Sequence, residues 1–189
     1  MSTAANVSAA KPKVGGAIYT ANIGTPLPTN AIDPLDPAFR GLGYVSEDGT
    51  TNGTAIESEK TKAWGGDTVL VTQKSKEDTF KYKLIEALNK DVLGYTYGED
   101  NVSGDLDNGL TIHVNSSDVP ERSIVIDTIM RGNILKRIVI PRCKISDVAE
   151  IVYNDSDPVG YETTVDCIPD ENGDTHIEYI QKAGNVPSA

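Results

Sequence analysis

The stretch from residue 64 to 98 constrains the fold most, because three hydrophobic patterns follow one another within it. Residues 68–74 are rich in β-branched and aliphatic side chains and predict a strand, and the polar residues 75–78 predict a turn. Residues 79–86 then alternate, which is typical of a half-buried strand. One face of that alternation carries Phe80, Tyr82 and Leu84, and the other carries Lys81 and Lys83.

A short helix is predicted directly after this alternation. Apolar residues recur with helical spacing at Ile85, Leu88 and Val92. Asn89 can cap the helix, Asp91 suits its first turn, and Gly94 can end it. The alternative is a single helix over residues 77–93, but the aromatic and β-branched residues between 79 and 83 argue against it.

Further strands recur at short, even intervals along the chain. Strand-like patterns cover residues 15–21, 110–114, 123–130, 134–145, 147–153, 159–168 and 175–181. Turn signals separate them at residues 131–133, 154–158 and 170–174, and we expect the last of these to close a hairpin. Because Pro141 has no N–H to donate, an edge or a bulge is expected there. The pattern predicts a β-sandwich or small barrel with one helix on its side.

Long segments without apolar periodicity separate these elements. Residues 1–13 predict a mobile arm, and the four prolines between residues 24 and 37 predict an extended connector. Tyr44 and Val45 can start a strand that turns at Asp48-Gly49. Residues 50–61 form a polar excursion with another turn at Asn52-Gly53, and an excursion of this length is often functional.

The composition excludes several classes of protein. Its net charge of −11 argues against binding nucleic acid by neutralising phosphates. The sequence has no run of 18 apolar residues, and its first residues lack the apolar core of a signal peptide. Two cysteines, Cys143 and Cys167, are too few for a disulfide scaffold, so two buried thiols are favoured over a disulfide.

No motif predicts catalytic, metal-binding or cofactor-binding residues. The acidic segments 105–109 and 170–174 lack the full spacing of a calcium loop and suit turns better. His113 and His176 have no zinc-ligand pattern around them, and no nucleophile elbow or phosphate-binding loop is present. The single tryptophan, Trp64, is either a core or hinge anchor or an interface anchor.

Several segments of the chain, in this order and spacing, resemble the major tail protein, or tail tube protein, of long, flexible-tailed bacteriophages. The matching segments are residues 35–39, 42–49, 62–67, 79–80, 84–86, 92–93, 137–141, 160–162, 169–171 and 173–176. The resemblance is weakest in the first dozen residues and around residues 99–121.

This resemblance implies a β-sandwich or barrel-like tail tube fold with one short flanking helix, a long extended loop and a mobile N-terminal arm. It implies an arm over residues 1–13, one domain over 14–181 with the long loop at 42–66, and a tail over 182–189. Subunits of the family form six-membered rings that stack into a tube. In the family, the loop and the arm join ring to ring. The resemblance therefore implies that five residues of the loop take part in self-assembly: Tyr44, Val45, Trp64, Gly65 and Gly66.

The resemblance also implies the surroundings of the protein. Its partners are further copies of itself and the tail terminator, tape measure and baseplate-type tail proteins. DNA passes through the lumen without specific binding, and the protein resides in the virion after assembly in the host cytoplasm. No cofactor, membrane or enzymatic activity is implied.

Charge leads to an expectation about the lumen, because basic groups on its wall would hold DNA. We expect an acidic or neutral wall, with acids such as Glu86, Asp127 and Glu162 as candidates. The basic set Lys81, Lys83 and Arg137 would then lie at subunit contacts or on the outer wall. Two rivals stay open: a carbohydrate-binding or receptor-binding β-sandwich module, and a hydrolase with scattered carboxylates.

Overall fold

The computed structural model describes residues 2–13 and 16–183. The predicted tail over 182–189 and the start of the predicted strand at residue 15 therefore lie mostly outside the described residues. Half of the chain is strand and 8% is helix, which confirms the mainly β fold class. No helix among the described residues is long and apolar enough to cross a membrane.

Eleven strands and one α-helix make up the described chain. The strands are β1 (Ala10–Pro12), β2 (Ile18–Asn22), β3 (Arg40–Gly41), β4 (Val45–Lys62), β5 (Thr68–Leu84), β6 (Val102–Asp105), β7 (Gly109–Ile112), β8 (Arg122–Met130), β9 (Ile134–Val148), β10 (Tyr161–Cys167) and β11 (Ile177–Lys182). The helix α1 spans Lys90–Tyr97, and single 3-10 turns lie at Ala4–Asn6 and Glu99–Asn101.

The main sheet is organised around the β8–β9 hairpin. Its strand order is β3-β2-β8-β9-β10-β5-β4, with every pairing antiparallel. Nearer the hairpin turn, β8 exchanges β2 for β1, and β9 exchanges β10 for β11. Four strands, β1-β8-β9-β11, therefore form the far end of the sheet. Strands β6 and β7 form a separate pair.

The larger core lies between this sheet and α1. Phe80, Tyr82 and Leu84 are buried and Lys81 is exposed, which confirms the predicted alternation. Val92, Leu93 and Tyr95 of the helix pack into the same core. The hydroxyl groups of Tyr82 and Tyr95 share a hydrogen bond of 2.6 Å, which joins β5 to α1 inside the core. A smaller cluster around Val125 and Val139 lies on the opposite face, against Leu27 and Leu35 of the connector.

The helix begins where the sequence predicts and ends later. Asn89 is the N-cap, and its side chain accepts a hydrogen bond of 3.0 Å from the N–H of Asp91. The prediction that Gly94 ends the helix is wrong, because Gly94 lies buried within it. The cap is Gly98, whose φ of 92° favours glycine. The extra turn is stabilised because it places Tyr95 in the core.

Proline 141 lies in a bulge, as predicted. Ser123 of β8 faces two residues of β9, Pro141 and Arg142, and its hydroxyl donates a 2.8 Å hydrogen bond to the Pro141 carbonyl. At the same place β9 exchanges β11 for β10 on its other side. The proline therefore lies where no ladder hydrogen bond is needed from its nitrogen.

Five local predictions are wrong. Residues 75–78 are not a turn, because β5 runs unbroken through them, and residues 50–61 are not a loop but part of β4. Asp48-Gly49 lies in an irregularity of β4, where three residues are added between the Val45–Leu84 and Thr50–Tyr82 pairs. The predicted strand at 147–153 is only the end of β9. The segment 170–174 does not close a hairpin, because β10 and β11 both pair with β9 and not with each other.

A buried ion pair overturns two further expectations. Arg137 (1% exposed) and Asp127 (4% exposed) face each other on β9 and β8, joined by hydrogen bonds of 2.7 and 2.9 Å. Arg137 also donates to the carbonyl groups of Asn30 and Asp33, at 3.0 and 2.8 Å, and so holds the connector onto the sheet. The pair satisfies its charges within the chain, so Arg137 cannot be a surface contact and Asp127 cannot face a lumen.

Candidate functional site

The most exposed part of the fold is the hairpin made by the outer halves of β4 and β5. Every residue from 54 to 74 is exposed, although both strands pair continuously across it apart from two bulges. At about 3.3 Å per residue, the nine residues from Thr54 to Lys62 extend roughly 30 Å from the body. A two-stranded hairpin of this length that covers no core is only marginally stable in isolation. Its role is therefore expected at a contact with another protein chain.

The tip of this hairpin is a tight turn that presents the only tryptophan. The Gly66 N–H donates to the Ala63 carbonyl at 3.0 Å, and the Ala63 N–H donates to the Asp67 carbonyl at 2.8 Å. Gly65 and Gly66 have φ values of 113° and 99°, a region that favours glycine. Trp64 is fully exposed on this turn. The core-anchor alternative for Trp64 is therefore wrong.

Apolar side chains continue along the hairpin behind the tip. Val69, Leu70 and Val71 are each more than half exposed, and so is Ile56 on the facing strand. We call these residues and Trp64 together the apolar tip: Ile56, Trp64, Val69, Leu70 and Val71, of which Ile56, opposite Lys76, lies nearest the base. Scattered exposed apolar residues are ordinary, but a group on one projecting element indicates an interaction surface.

The hairpin also differs from the body in charge. Residues 54–76 contain four lysines and three carboxylates, in a chain whose net charge is −11. Only one ion pair joins the two strands among these residues, between Lys74 and Glu59 at 3.5 Å. The hairpin is thus slightly basic, whereas the remainder of the chain is strongly acidic.

Tyr44 and Val45 lie at the opposite end of the hairpin from Trp64, Gly65 and Gly66. Val45 is half-buried against the main core, and Tyr44 is exposed. The Tyr44 N–H donates to the Glu86 carboxylate at 2.9 Å, and the Tyr44 carbonyl accepts from the Ile85 N–H at 3.0 Å. The fold therefore separates the predicted self-assembly residues into two groups, one at the base of the hairpin (Tyr44 and Val45) and one at its tip (Trp64, Gly65 and Gly66). No comparison tests their role, which stays a prediction.

A buried network that the sequence did not indicate anchors the base of the hairpin. Asp78 of β5 is only 3% exposed. Its carboxylate accepts hydrogen bonds of 2.7 Å from both Asn52 of β4 and Thr175, and it also contacts His176. The His176 ring packs edge-on against Phe80, with 5.3 Å between centroids. Because these partners lie up to 98 residues apart, no local pattern could have revealed the network.

The network controls the protonation of Asp78. Burial alone would raise the pKa of its carboxyl, but hydrogen bonds from Thr175, Asn52 and His176, with the charge of His176, hold that pKa below the ordinary value of 3.8. A carboxyl whose pKa is lowered by folding stabilises the fold above the ordinary pKa, and that contribution is lost as the pH falls through the folded value.

We expect Asp78→Asn to lower the free energy of unfolding by about 1–3 kcal/mol at neutral pH, because buried donors lose a charged acceptor. The difference from wild type should shrink as the pH falls below the ordinary pKa of 3.8. Urea unfolding across this pH range measures it, with the exposed Asp174→Asn as control. A difference that stays constant down to strongly acidic pH would contradict the prediction.

The four-stranded end of the sheet offers a second exposed surface. Within the described part of the chain, β1 and β11 each pair on one side only. Ile180 of β11 is exposed, and Lys136 pairs with Glu178 at 2.7 Å across β9 and β11. Free strand edges present unpaired N–H and carbonyl groups to other chains.

The acidic turns considered at the sequence level bind their own backbone. Asp170 accepts from the N–H groups of Asn172 and Asp174 at 2.8 and 2.9 Å. Asp105 accepts from the Asn108 N–H at 2.7 Å. Across residues 2–13 and 16–183, no group of three or more His, Cys, Asp or Glu side chains is placed to hold a metal ion.

A family model described as phage tail tube protein matches residues 4–189, nearly the whole chain. No curated protein matches the chain.

Proposed function

This chain belongs to the phage tail tube protein family, and from that premise we propose that its copies form six-membered rings that stack into the tail tube, the conduit for genome delivery. The family membership makes it a structural protein of the virion tail. The observation that supports stacking is the long β4–β5 hairpin, which projects from the body with an exposed apolar tip.

In this proposal the hairpin joins one ring to the next. Trp64 acts as the anchor at its tip, and Gly65 and Gly66 provide the turn that presents it. Tryptophan is among the residues most enriched at binding hot spots, and the exposed aliphatic side chains behind it would add buried apolar area at the same contact. The slightly basic hairpin would meet the acidic body of a neighbouring subunit, which favours the correct partner.

Contacts within one ring are proposed at the strand edges and at the base of the hairpin. The outer edges of β1 and β11 are different surfaces, so their pairing between copies would be heterologous, and such contacts close into rings when the rotation permits. In this proposal Tyr44, which is exposed beside Val45, contacts a lateral neighbour.

The net charge supports passage of DNA without specific binding. A net charge of −11 per chain repels DNA phosphates overall, and a lumen wall without lysine or arginine would let the duplex slide. The two ends of the tube would present free hairpins at one end, and at the other the surface that receives them, to tail terminator, tape measure and baseplate-type proteins. Assembly in the host cytoplasm is part of this proposal.

Assembly of the purified protein tests the proposal. We expect sedimentation velocity over a rising concentration series to show a species of six subunits and then larger particles, which negative-stain electron microscopy should resolve as rings and tubes. The physical reason is that strand edges and the apolar tip are completed only by neighbours. A protein that stays monomeric at millimolar concentration and forms no tubes would overturn the proposal.

A further inference from the structure

Cys143 and Cys167 are direct neighbours across two strands. In the antiparallel register of β9 and β10, Cys167 lies opposite Cys143. The adjoining Ile168 N–H donates to the Arg142 carbonyl at 2.8 Å, so the next pair along is hydrogen-bonded and the cysteine pair is the non-hydrogen-bonded type. Such pairs have Cα atoms about 4.5 Å apart and the closest side chains, which lies within the range that disulfides span.

The two thiols differ in access. Cys143 is buried, and its Sγ donates a weak hydrogen bond of 3.3 Å to the Arg122 carbonyl. Cys167 is half-buried and lies at the end of β10, beside the exposed Asp166. Both are free in the structure. A small reagent can therefore reach Cys167 first, with Cys143 held behind it.

We propose that Cys143 and Cys167 are a latent cross-strand disulfide, which closes when the folded protein meets a small-molecule disulfide such as oxidised glutathione. The Cys167 thiolate attacks one sulfur of the reagent, which breaks its S–S bond, forms a mixed disulfide and releases one glutathione thiolate. The Cys143 thiolate then attacks the Cys167 sulfur and releases the second. The protein loses two protons and two electrons, and the reagent is reduced to two thiols.

Burial makes this reaction slow at neutral pH. It raises the pKa of Cys167 to about 12 and raises that of Cys143 as well. Only the thiolate reacts. As long as the pH is below these pKa values, the rate should therefore rise about tenfold for each unit by which the pH increases. The chemistry requires only the folded chain, so it is independent of the proposed assembly.

The closed disulfide would fasten β9 to β10 around the segment 149–160, which has no regular structure. The disulfide would close a loop from residue 143 to residue 167 and so restrict the unfolded chain. We expect the oxidised protein to melt at a temperature higher by roughly 10 °C. The reduced and oxidised forms of the same protein provide the comparison.

Peptide mapping tests the proposal. Folded wild-type protein is incubated with oxidised glutathione, its remaining thiols are blocked, and it is digested with trypsin without reductant. We expect the intact chain to lose the mass of two hydrogen atoms, and the dipeptide Cys143-Lys144 to appear linked to the peptide of residues 145–182. The yield should increase with pH, and a reductant should reverse both changes.

Single substitutions separate the two steps. Cys143→Ser should keep one glutathione on Cys167, whereas Cys167→Ser should stay unmodified over the same period, with circular dichroism to show that each variant is folded. Three results would overturn the proposal: wild-type protein that ends with glutathione on Cys167 alone, cross-links only between chains, or two thiols that still titrate after denaturation. Because these are read on the wild type, they hold even if a variant fails to fold.

Discussion

Replacing residues 56–76 with an Asn-Gly turn is expected to abolish tube formation and leave folded subunits that can still form rings. The strand pairing from the pair Ala55 and Glu77 towards the body of the protein remains. The hydrogen bond between Asn52 and Asp78 that anchors the base also remains. No residue in the removed segment is buried, so the melting temperature should change little. The apolar tip is removed entirely, and with it the proposed contact between rings.

A graded version isolates the tryptophan. Trp64→Ala should raise the concentration needed for tube formation by about 30-fold, which corresponds to a hot spot of about 2 kcal/mol. Thr72→Ser, an exposed change on the same hairpin, is the matched control and should assemble as wild type does. Sedimentation and electron microscopy measure both. Normal tubes from the shortened hairpin would show that it is not the contact between rings.

The second large effect is expected at the buried ion pair. Arg137→Met should lower the free energy of unfolding by about 3–5 kcal/mol, because it leaves the Asp127 carboxylate buried with its two strongest hydrogen bonds lost. Lys13 lies 3.4 Å from Asp127 and is too exposed to replace the guanidinium. The carbonyl groups of Asn30 and Asp33 also lose their donor, so the connector should loosen.

The same strand supplies the control for this change. Arg142 of β9 makes a similar two-point contact with Glu121, at 2.6 and 3.2 Å, but on the surface. Arg142→Met should therefore lower the free energy of unfolding by less than about 1 kcal/mol. Guanidinium unfolding of both variants measures the contrast, and equal losses would contradict the assignment of the Arg137–Asp127 pair as the main polar anchor of the connector.

Local chemistry in the sequence was enough to predict several features. The alternation of Phe80, Tyr82 and Leu84 predicts their burial, because side chains of a strand point alternately to two faces. Asn89 begins the helix through its own side chain, and Pro141 lies in a bulge because it lacks an N–H. The family resemblance was also available from the sequence, and the family model confirms it.

The hairpin shows where such patterns stop being informative. Hydrophobic alternation reports that one face of a strand is buried, and neither face of the hairpin is buried in the single chain. Its polar residues were therefore interpreted as a loop over 50–61 and a turn at 75–78, although they pair across β4 and β5. The residues of the apolar tip were recognisable only in part, as Trp64 and its two glycines.

Tertiary structure alone decided which charges are buried and which strands are neighbours. Arginine and aspartate are residue types that usually lie on the surface, but the register of β8 and β9 places Arg137 and Asp127 opposite each other beneath the connector. Asp78 meets His176, and Cys143 meets Cys167, for the same reason. A sequence determines the preferences of each segment, because these depend on nearby residues. Pairing between distant strands depends on the free energy of the whole packed fold, so only the assembled structure shows it.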